Sequence, residues 1–339
     1  MDLSLSEEQH QLVEAIAGLL AQESNSERVR GAESTGFDAK LWRALFVAGV
    51  VHMAVAEDAG GWGATHLDLA LVDEQHGRAL GSAPIVEAQV SAALMHECAS
   101  AGSLAAGRLL GAVLEGECLV TFAPRPGRNG RLDLVPGAAV ADAVIAFVND
   151  QLLLINLAGN STPVANLGSM PLADVEIADD VSVLAEGSMA AEAFDRALDR
   201  WLMLSAAVLV GAAARALEIS VDYACQRHAF GTPIGAFQAI SHRLADSATA
   251  IDGARLLVYR AACADVEESE RASELSAMAF AFAYEAARDV TQRGVHFHGG
   301  YGFMMEQDIQ LYYRRVRGWA NVFGDANAAL DRVASKRYG

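Results

Sequence analysis

Basic residues are scarce in this chain: 25 Lys and Arg stand against 43 Asp and Glu, a formal net charge of -18, and no charge run is basic. Wrapping a polyanion needs a basic footprint, so a nucleic-acid partner is excluded, whereas a locally basic pocket for one nucleotide is not. Cysteine is sparse too. Cys98, Cys118, Cys225 and Cys263 form no Cys-x-x-Cys spacing, which argues for reduced thiols and a cytoplasmic setting. The N-terminal Met1-Asp2-Leu3-Ser4-Leu5-Ser6-Glu7-Glu8 has neither a basic n-region nor an apolar h-region, so no export signal is expected. The most apolar stretch, residues 201–214, is shorter than the about 18 to 20 residues a bilayer requires. It reads as a helix buried in a bundle, with no membrane partner.

What is present is apolar material. With 339 residues, 53% of them hydrophobic and 20% charged, the chain can bury a large core and should hold two or three structural regions. Ser6 with Gln9 three residues on makes a capping box, and Leu12, Ile16, Leu19 and Leu20 follow at helical spacing, predicting a helix over Glu7–Glu23. Residues 31–36 break the pattern; Leu41, Leu45 and Phe46 resume it until Gly49. Gly60, Gly61 and Gly63 follow no strand and precede no Lys-Ser/Thr, so they read as a loop, not a phosphate cradle. Helical patterns continue over 67–80, 85–99 and 103–115, punctuated by Pro84 and Gly116. From Cys118 the texture changes to short β-rich runs at 118–122, 138–148, 151–157 and 181–184. The rest is helical again, over 189–227, 237–266, 270–293 and a pair from about 306. Gly294, Gly299, Gly300 and Gly302 form the one glycine-rich break. The expected fold is mainly α with a small β domain: a helical domain over 1–117, a β domain over 118–187 and a helical bundle over 188–339.

One corner stands out. Gly231 and Pro233 stop a helix that ends near Arg227, and Phe237 opens the next, so the turn sets Arg227 and Gln238 on either side of it. A forked guanidinium beside an amide suits a phosphate-bearing ligand; an Arg in a surface ion pair is the equally simple reading. His296 and His298, two apart with no Cys or carboxylate nearby, are poor metal spacing, and no metal is expected.

The string Tyr223-x-x-x-Arg227-x-x-Phe230-Gly231-x-x-Ile234-x-x-Phe237-Gln238, followed by His242-x-Leu244-Ala245-Asp246, resembles the signature of the acyl-CoA dehydrogenase family. Val295-His296-Phe297-His298-Gly299-Gly300-Tyr301-Gly302-Phe303 is similar to that family's Gln-x-x-Gly-Gly-x-Gly element, with His296 where glutamine is usual. Phe37-Asp38-x-x-Leu41-Trp42, Gly49, 56–63 and Glu74-x-x-Gly77-Arg78 follow its opening helical domain in order. The resemblance covers most of the chain and is weakest in the middle, where about seventy residues stand for the family's hundred.

The resemblance implies an N-terminal helical domain, a reduced β domain and a C-terminal four-helix bundle. It also implies FAD chemistry: a carboxylate base removes a proton beside an acyl-CoA thioester and a hydride passes to the flavin. Several parts depart from the family pattern. Phe122-Ala123-Pro124-Arg125-Pro126-Gly127 stands where a Thr-Glu-Pro stretch would hold the subunit's own flavin, and the hairpin that follows in the family is missing. The usual base position, counted from Gly299 and Arg314, falls on Phe323, with Gly324 after it. The less common position, 26 residues before Arg227, falls on Trp201. Neither ring can take a proton; Asp195 and Asp199 lie near Trp201 but off its place on the helix.

The retained residues, Arg227, Phe230, Gly231, Gln238, His296, Gly299 and Gly300, are those that in the family reach the FAD of a neighbouring subunit. The expectation is therefore the shortened, non-catalytic subunit of a heteromeric, steroid-type acyl-CoA dehydrogenase. It would share FAD with a catalytic partner in an α2β2 heterotetramer acting on an acyl-CoA. Two rival readings remain: a flavin-free assembly scaffold, and a homomeric flavoenzyme whose base has moved.

Overall fold

Ser6 sets the start of the first helix, α1 (Glu7–Glu23). Its hydroxyl accepts from the Gln9 backbone N–H at 3.2 Å while its own N–H donates to the Gln9 amide oxygen at 3.0 Å, the reciprocal pair that the spacing predicts. The computed structural model describes residues 4–177 and 181–338. Residues 1–3, at the head of the leader reading, 178–180, inside the span expected for the β domain, and Gly339 lie outside the described residues.

The short α2 (Ser26–Gly31) is announced by no apolar repeat, since Val29 is its one buried residue. Helix α3 (Ala39–Val47) begins where Asp38 accepts the N–H groups of Lys40 and Leu41 at 3.0 and 3.1 Å, as a helix cap does. The Arg28 guanidinium grips the same carboxylate, Nε to Oδ2 at 2.9 Å and Nη2 to Oδ1 at 2.7 Å. The glycines after it close a tight loop: a Cβ on Gly49 would fall 1.9 Å from the Trp62 ring, and one on Gly61 2.0 Å from the Val55 carbonyl. Then come α4 (His66–Arg78), α5 (Ile85–Ser100) and α6 (Leu104–Leu114).

Seven strands follow: β1 (Val120–Phe122), β2 (Arg131–Val135), β3 (Ala143–Val148), β4 (Gln151–Asn156), β5 (Ser161–Pro163), β6 (Ala173–Glu176) and β7 (Val181–Glu186). They make a four-stranded sheet, order β1-β3-β4-β7, and a three-stranded sheet, order β2-β6-β5. Among the described residues only the β1–β3 pairing of these two sheets is parallel. Asn149 and Asp150, both at positive φ, turn β3 into β4. Leu132, Val135 and Val175 of one sheet and Val144, Leu153 and Ile155 of the other share one buried cluster. The second sheet is absent from the sequence pattern because β2, β5 and β6 carry Arg, Asp, Glu, Ser and Pro among few apolar residues. Residues 138–142, expected in a strand, form the turn after Gly137 instead.

Helix α7 (Gly187–Gln226) runs for 40 residues. After it come the two-residue strands β8 (His228–Ala229) and β9 (Thr232–Pro233), and then α8 (Gln238–Glu267), α9 (Ala272–His298), α10 (Ile309–Asn321) and α11 (Ala326–Tyr338). By length and composition α7 could cross a membrane, but 72% of its most apolar window is buried inside the protein, as the bundle reading requires. Gly294, expected in a break, is helical: a Cβ there would meet the Ser220 hydroxyl at 2.7 Å, so it is a packing glycine and α9 continues to His298.

Two compact units divide the chain, Glu27–Leu69 with Ser82–Leu204, and Met1–Ser26 with Ala70–Gly81 and Ser205–Gly339. The first holds both large sheets. In the second, α4 and α7 approach so closely that a Cβ on Gly77 would lie 1.9 Å from the Val208 carbonyl oxygen, and one on Gly211 1.9 Å from that of Glu74. Glu74 pairs with Arg255 at 3.0 Å and Arg78 with Glu218 at 2.7 Å. The Glu74-x-x-Gly77-Arg78 string thus packs and pairs helices.

Candidate functional site

Arg227 stands just past the end of α7, where the chain reverses through β8 and β9. Phe230 and Gly231 are the two central residues, with φ of 53° and 82°, the positive pair a type I′ turn needs. Glycine adopts that backbone freely; a phenylalanine does so against its own Cβ, and this one is 98% exposed at the tip. The Ile234 N–H donates to the Arg227 carbonyl at 2.8 Å and fastens the base of the hairpin.

A cleft of about 610 Å³ opens beside it, lined among others by Tyr223, Arg227, His298, Gly299 and Gly300. Two strings far apart in sequence, the Arg227 corner and the Gly299-Gly300 turn, are therefore brought together. The Arg227 side chain makes no ion pair or hydrogen bond among the described residues, which removes the surface ion pair as its explanation. A Cβ on Gly299 or Gly300 would meet nothing within 4 Å, so the backbone there is open to a ligand. The His298 ring donates from Nδ1 to the Gly294 carbonyl at 2.7 Å and stacks on Tyr223 with centroids 4.0 Å apart. Burial pushes its pKa down against the opposing pull of that hydrogen bond, so the ring is held toward its neutral form.

A second cleft, of about 1170 Å³, shares Phe297 and Gly299 with the first. His296 lines it, together with Arg243, Arg293 and Arg317. The two histidines, expected on a turn, sit on α9 and face different clefts. No group of three metal-binding side chains occurs among the described residues. Phe230, Gly231 and Gln238 line neither cleft.

Phe323 and Trp201, the positions expected for a base, are packed rings. Phe323 meets Phe280 edge-on at 5.9 Å. Trp201, 2% exposed, donates from its indole N–H to the Glu87 carboxyl at 3.0 Å. Burial pushes the Glu87 pKa up, the indole hydrogen bond opposing it, so the carboxyl is held toward its neutral form. Asp195 and Asp199 are half-buried on α7. Glu87, Arg243, Arg293, Arg317 and the Tyr223–His298 stack are absent from the sequence reading. A single acid inside the apolar run Ile85-Val86-Glu87-Ala88 was the one available signal; the arginines come from three helices and leave none.

Residues 6–111 match the family model of the acyl-CoA dehydrogenase N-terminal domain, and residues 192–336 that of its C-terminal domain. The chain is 30% identical over 339 residues to acyl-CoA dehydrogenase IpdE2 of Mycolicibacterium smegmatis, covering 98% of this chain and 99% of that one. Among solved structures it superposes on the ChsE4-ChsE5 complex from Mycobacterium tuberculosis with a TM-score of 0.87 at 25% identity, covering 99% and 98%. A variant of the Tcur3481-Tcur3483 steroid ACAD gives 0.87 at 26%, covering 98% of each chain.

Proposed function

Since the chain belongs to the acyl-CoA dehydrogenase family, oxidoreductases acting on CH–CH donors, we propose that it is the subunit of a heteromeric, FAD-dependent enzyme that supplies cofactor-binding residues but no catalytic base. The observation that carries this reading is the contrast between two places. Arg227 has no ion pair among the described residues and lines one cleft with an open glycine turn, as a phosphate ligand should. Phe323 and Trp201, by contrast, fill the base positions with side chains that cannot accept a proton.

FAD, when bound, supplies the hydride acceptor. The guanidinium of Arg227 would hold its diphosphate, the Gly299 and Gly300 backbone would let it approach, and the neutral His298 ring would add no competing charge. Phe230, Gly231, Gln238 and His296, which lie outside this cleft, would reach the parts of the cofactor that extend beyond it. The partner chain would bring the flavin-ring pocket and the base, in an α2β2 assembly. Relatives that are complexes of two chains, one of them a steroid ACAD, support a bulky steroid-type acyl-CoA as substrate.

The rival reading of a self-sufficient enzyme has one observation on its side, the Glu87 carboxyl beside Trp201. Enclosed and held toward its neutral form, that group is a poor base at neutral pH. Visible spectra decide between the readings. The chain purified alone should carry little flavin, and the complex with its partner should carry it stoichiometrically. A flavin-loaded homo-oligomer points to the self-sufficient enzyme, and a flavin-free complex to the scaffold.

A further inference from the structure

The larger cleft carries more positive charge than the rest of the molecule leads one to expect. Arg243, Arg293 and Arg317 line it, and among the described residues none of the three is paired with a carboxylate. Arg293 spends its donors on the Ser247 hydroxyl at 3.0 Å and the Arg243 carbonyl at 3.5 Å. Arg317 lies over the Tyr313 ring at 4.5 Å and donates to the Gln292 amide oxygen at 3.0 Å, while its Nε–H is buried with no acceptor. The one acidic lining residue, Asp289, is already paired with Arg288 at 3.2 Å. In a chain with a net charge of -18, three guanidinia left without carboxylates on one face are a site for something acidic from outside.

We propose that this cleft between α8 and α9 is where an acidic segment of a second, non-identical chain docks; the proposal rests on the heteromeric reading above. Its volume, about 1170 Å³, exceeds the roughly 300 to 1,000 Å³ usual for a small-molecule pocket and leaves room for a stretch of polypeptide. Its lining adds the exposed Phe303, and aromatic and Arg side chains are among the types enriched at the cores of protein interfaces. A second copy of this chain is the wrong occupant on electrostatic grounds. A two-fold contact sets the same patch against itself, which would bring guanidinia against guanidinia. The cleft thus selects a different partner as well as holding it.

The test is to co-express the chain with acyl-CoA dehydrogenase chains of the same organism that carry the flavin-ring pocket and the base, and to measure assembly by light scattering and native mass spectrometry. Wild type should give a heteromer that loosens with salt. Arg243→Glu alone, an exposed side chain with no ion pair or hydrogen bond to lose, should weaken it about tenfold, and the triple Arg243→Glu, Arg293→Glu, Arg317→Glu variant on the order of a hundredfold or more. The corresponding triple substitution to Lys keeps the charge and should keep the heteromer, which separates charge from folding. A heteromer equally tight in the triple Glu variant overturns the role of the cleft alone. A homo-oligomer that the triple Glu variant abolishes overturns it in favour of a second copy. A wild-type chain that assembles with no partner overturns the heteromeric reading and this proposal with it.

Discussion

Arg227 is the side chain on which the cofactor reading turns, because no side chain or carbonyl among the described residues pairs with its guanidinium. A charge-assisted contact to a phosphate is worth roughly 1.5 to 3 kcal/mol, so Arg227→Ala should weaken FAD binding in the heteromer by about ten- to a hundredfold. The variant should lose flavin on dilution and recover much of its turnover when excess FAD is added; flavin titration followed by absorbance and activity together checks this, and unchanged affinity would refute it. Glu87 makes a different kind of statement. Its folded pKa is raised, so the native state keeps a proton that the unfolded state gives up. Its contribution to stability is full below the unfolded carboxylate pKa and declines as pH rises toward the folded value. Glu87→Gln keeps the acceptor for the Trp201 indole and removes the titration. Thermal melts should show the variant gaining on wild type from pH 4 to pH 7, and a constant difference would mean that the carboxyl is ionised where it sits.

Two elements carry visible strain or tightness. In the β8–β9 hairpin, Phe230 holds a left-handed backbone that costs a non-glycine residue roughly 1 to 2 kcal/mol and gets no compensating burial. Phe230→Asn, a residue that tolerates this conformation, should slow hydrogen exchange at the hairpin while loosening flavin in the heteromer, if the ring is kept for a contact outside the chain. Slower exchange with unchanged flavin retention would leave the phenylalanine without that role. The α4–α7 crossing is the opposite case. At Gly211 a methyl group would sit 1.9 Å from the Glu74 carbonyl oxygen, a backbone atom that cannot swing away. Gly211→Ala should cost about 3 kcal/mol or more and appear as a large fall in Tm or loss of soluble protein.

For the molecule as a whole, the prediction is catalytic incompetence in isolation. On the proposed reading Phe323 and Trp201, both packed aromatic rings, stand where a base would act, and general-base catalysis alone contributes about 10² to 10⁴ in rate, so turnover of any acyl-CoA by the purified chain should be negligible. Robust turnover by a homogeneous homo-oligomer would instead send the search to Asp195→Asn, Asp199→Asn and Glu87→Gln for the base.

Local rules were legible in the sequence. The Ser6–Gln9 capping box, the helical periods and the turn residues Gly231 and Pro233 place α1 and the corner after α7 correctly, because each depends on neighbours a few residues away. The three-stranded sheet was not legible, since its strands are short and polar and gain their place from a core shared with the other sheet. The candidate site divides the same way. Arg227 and the Gly299-Gly300 turn could be singled out by residue type and spacing, but whether that Arg was already paired depended on which carboxylates the fold brought near, and among the described residues it brought none. The basic cleft is the extreme instance: Arg243, Arg293 and Arg317 belong to three helices in a strongly acidic chain, and only helix packing makes them neighbours. Composition and motif follow from covalent order, and the sequence by itself settles them; which charges meet, and which are left facing outward, depends on contacts across long separations that only the tertiary fold creates.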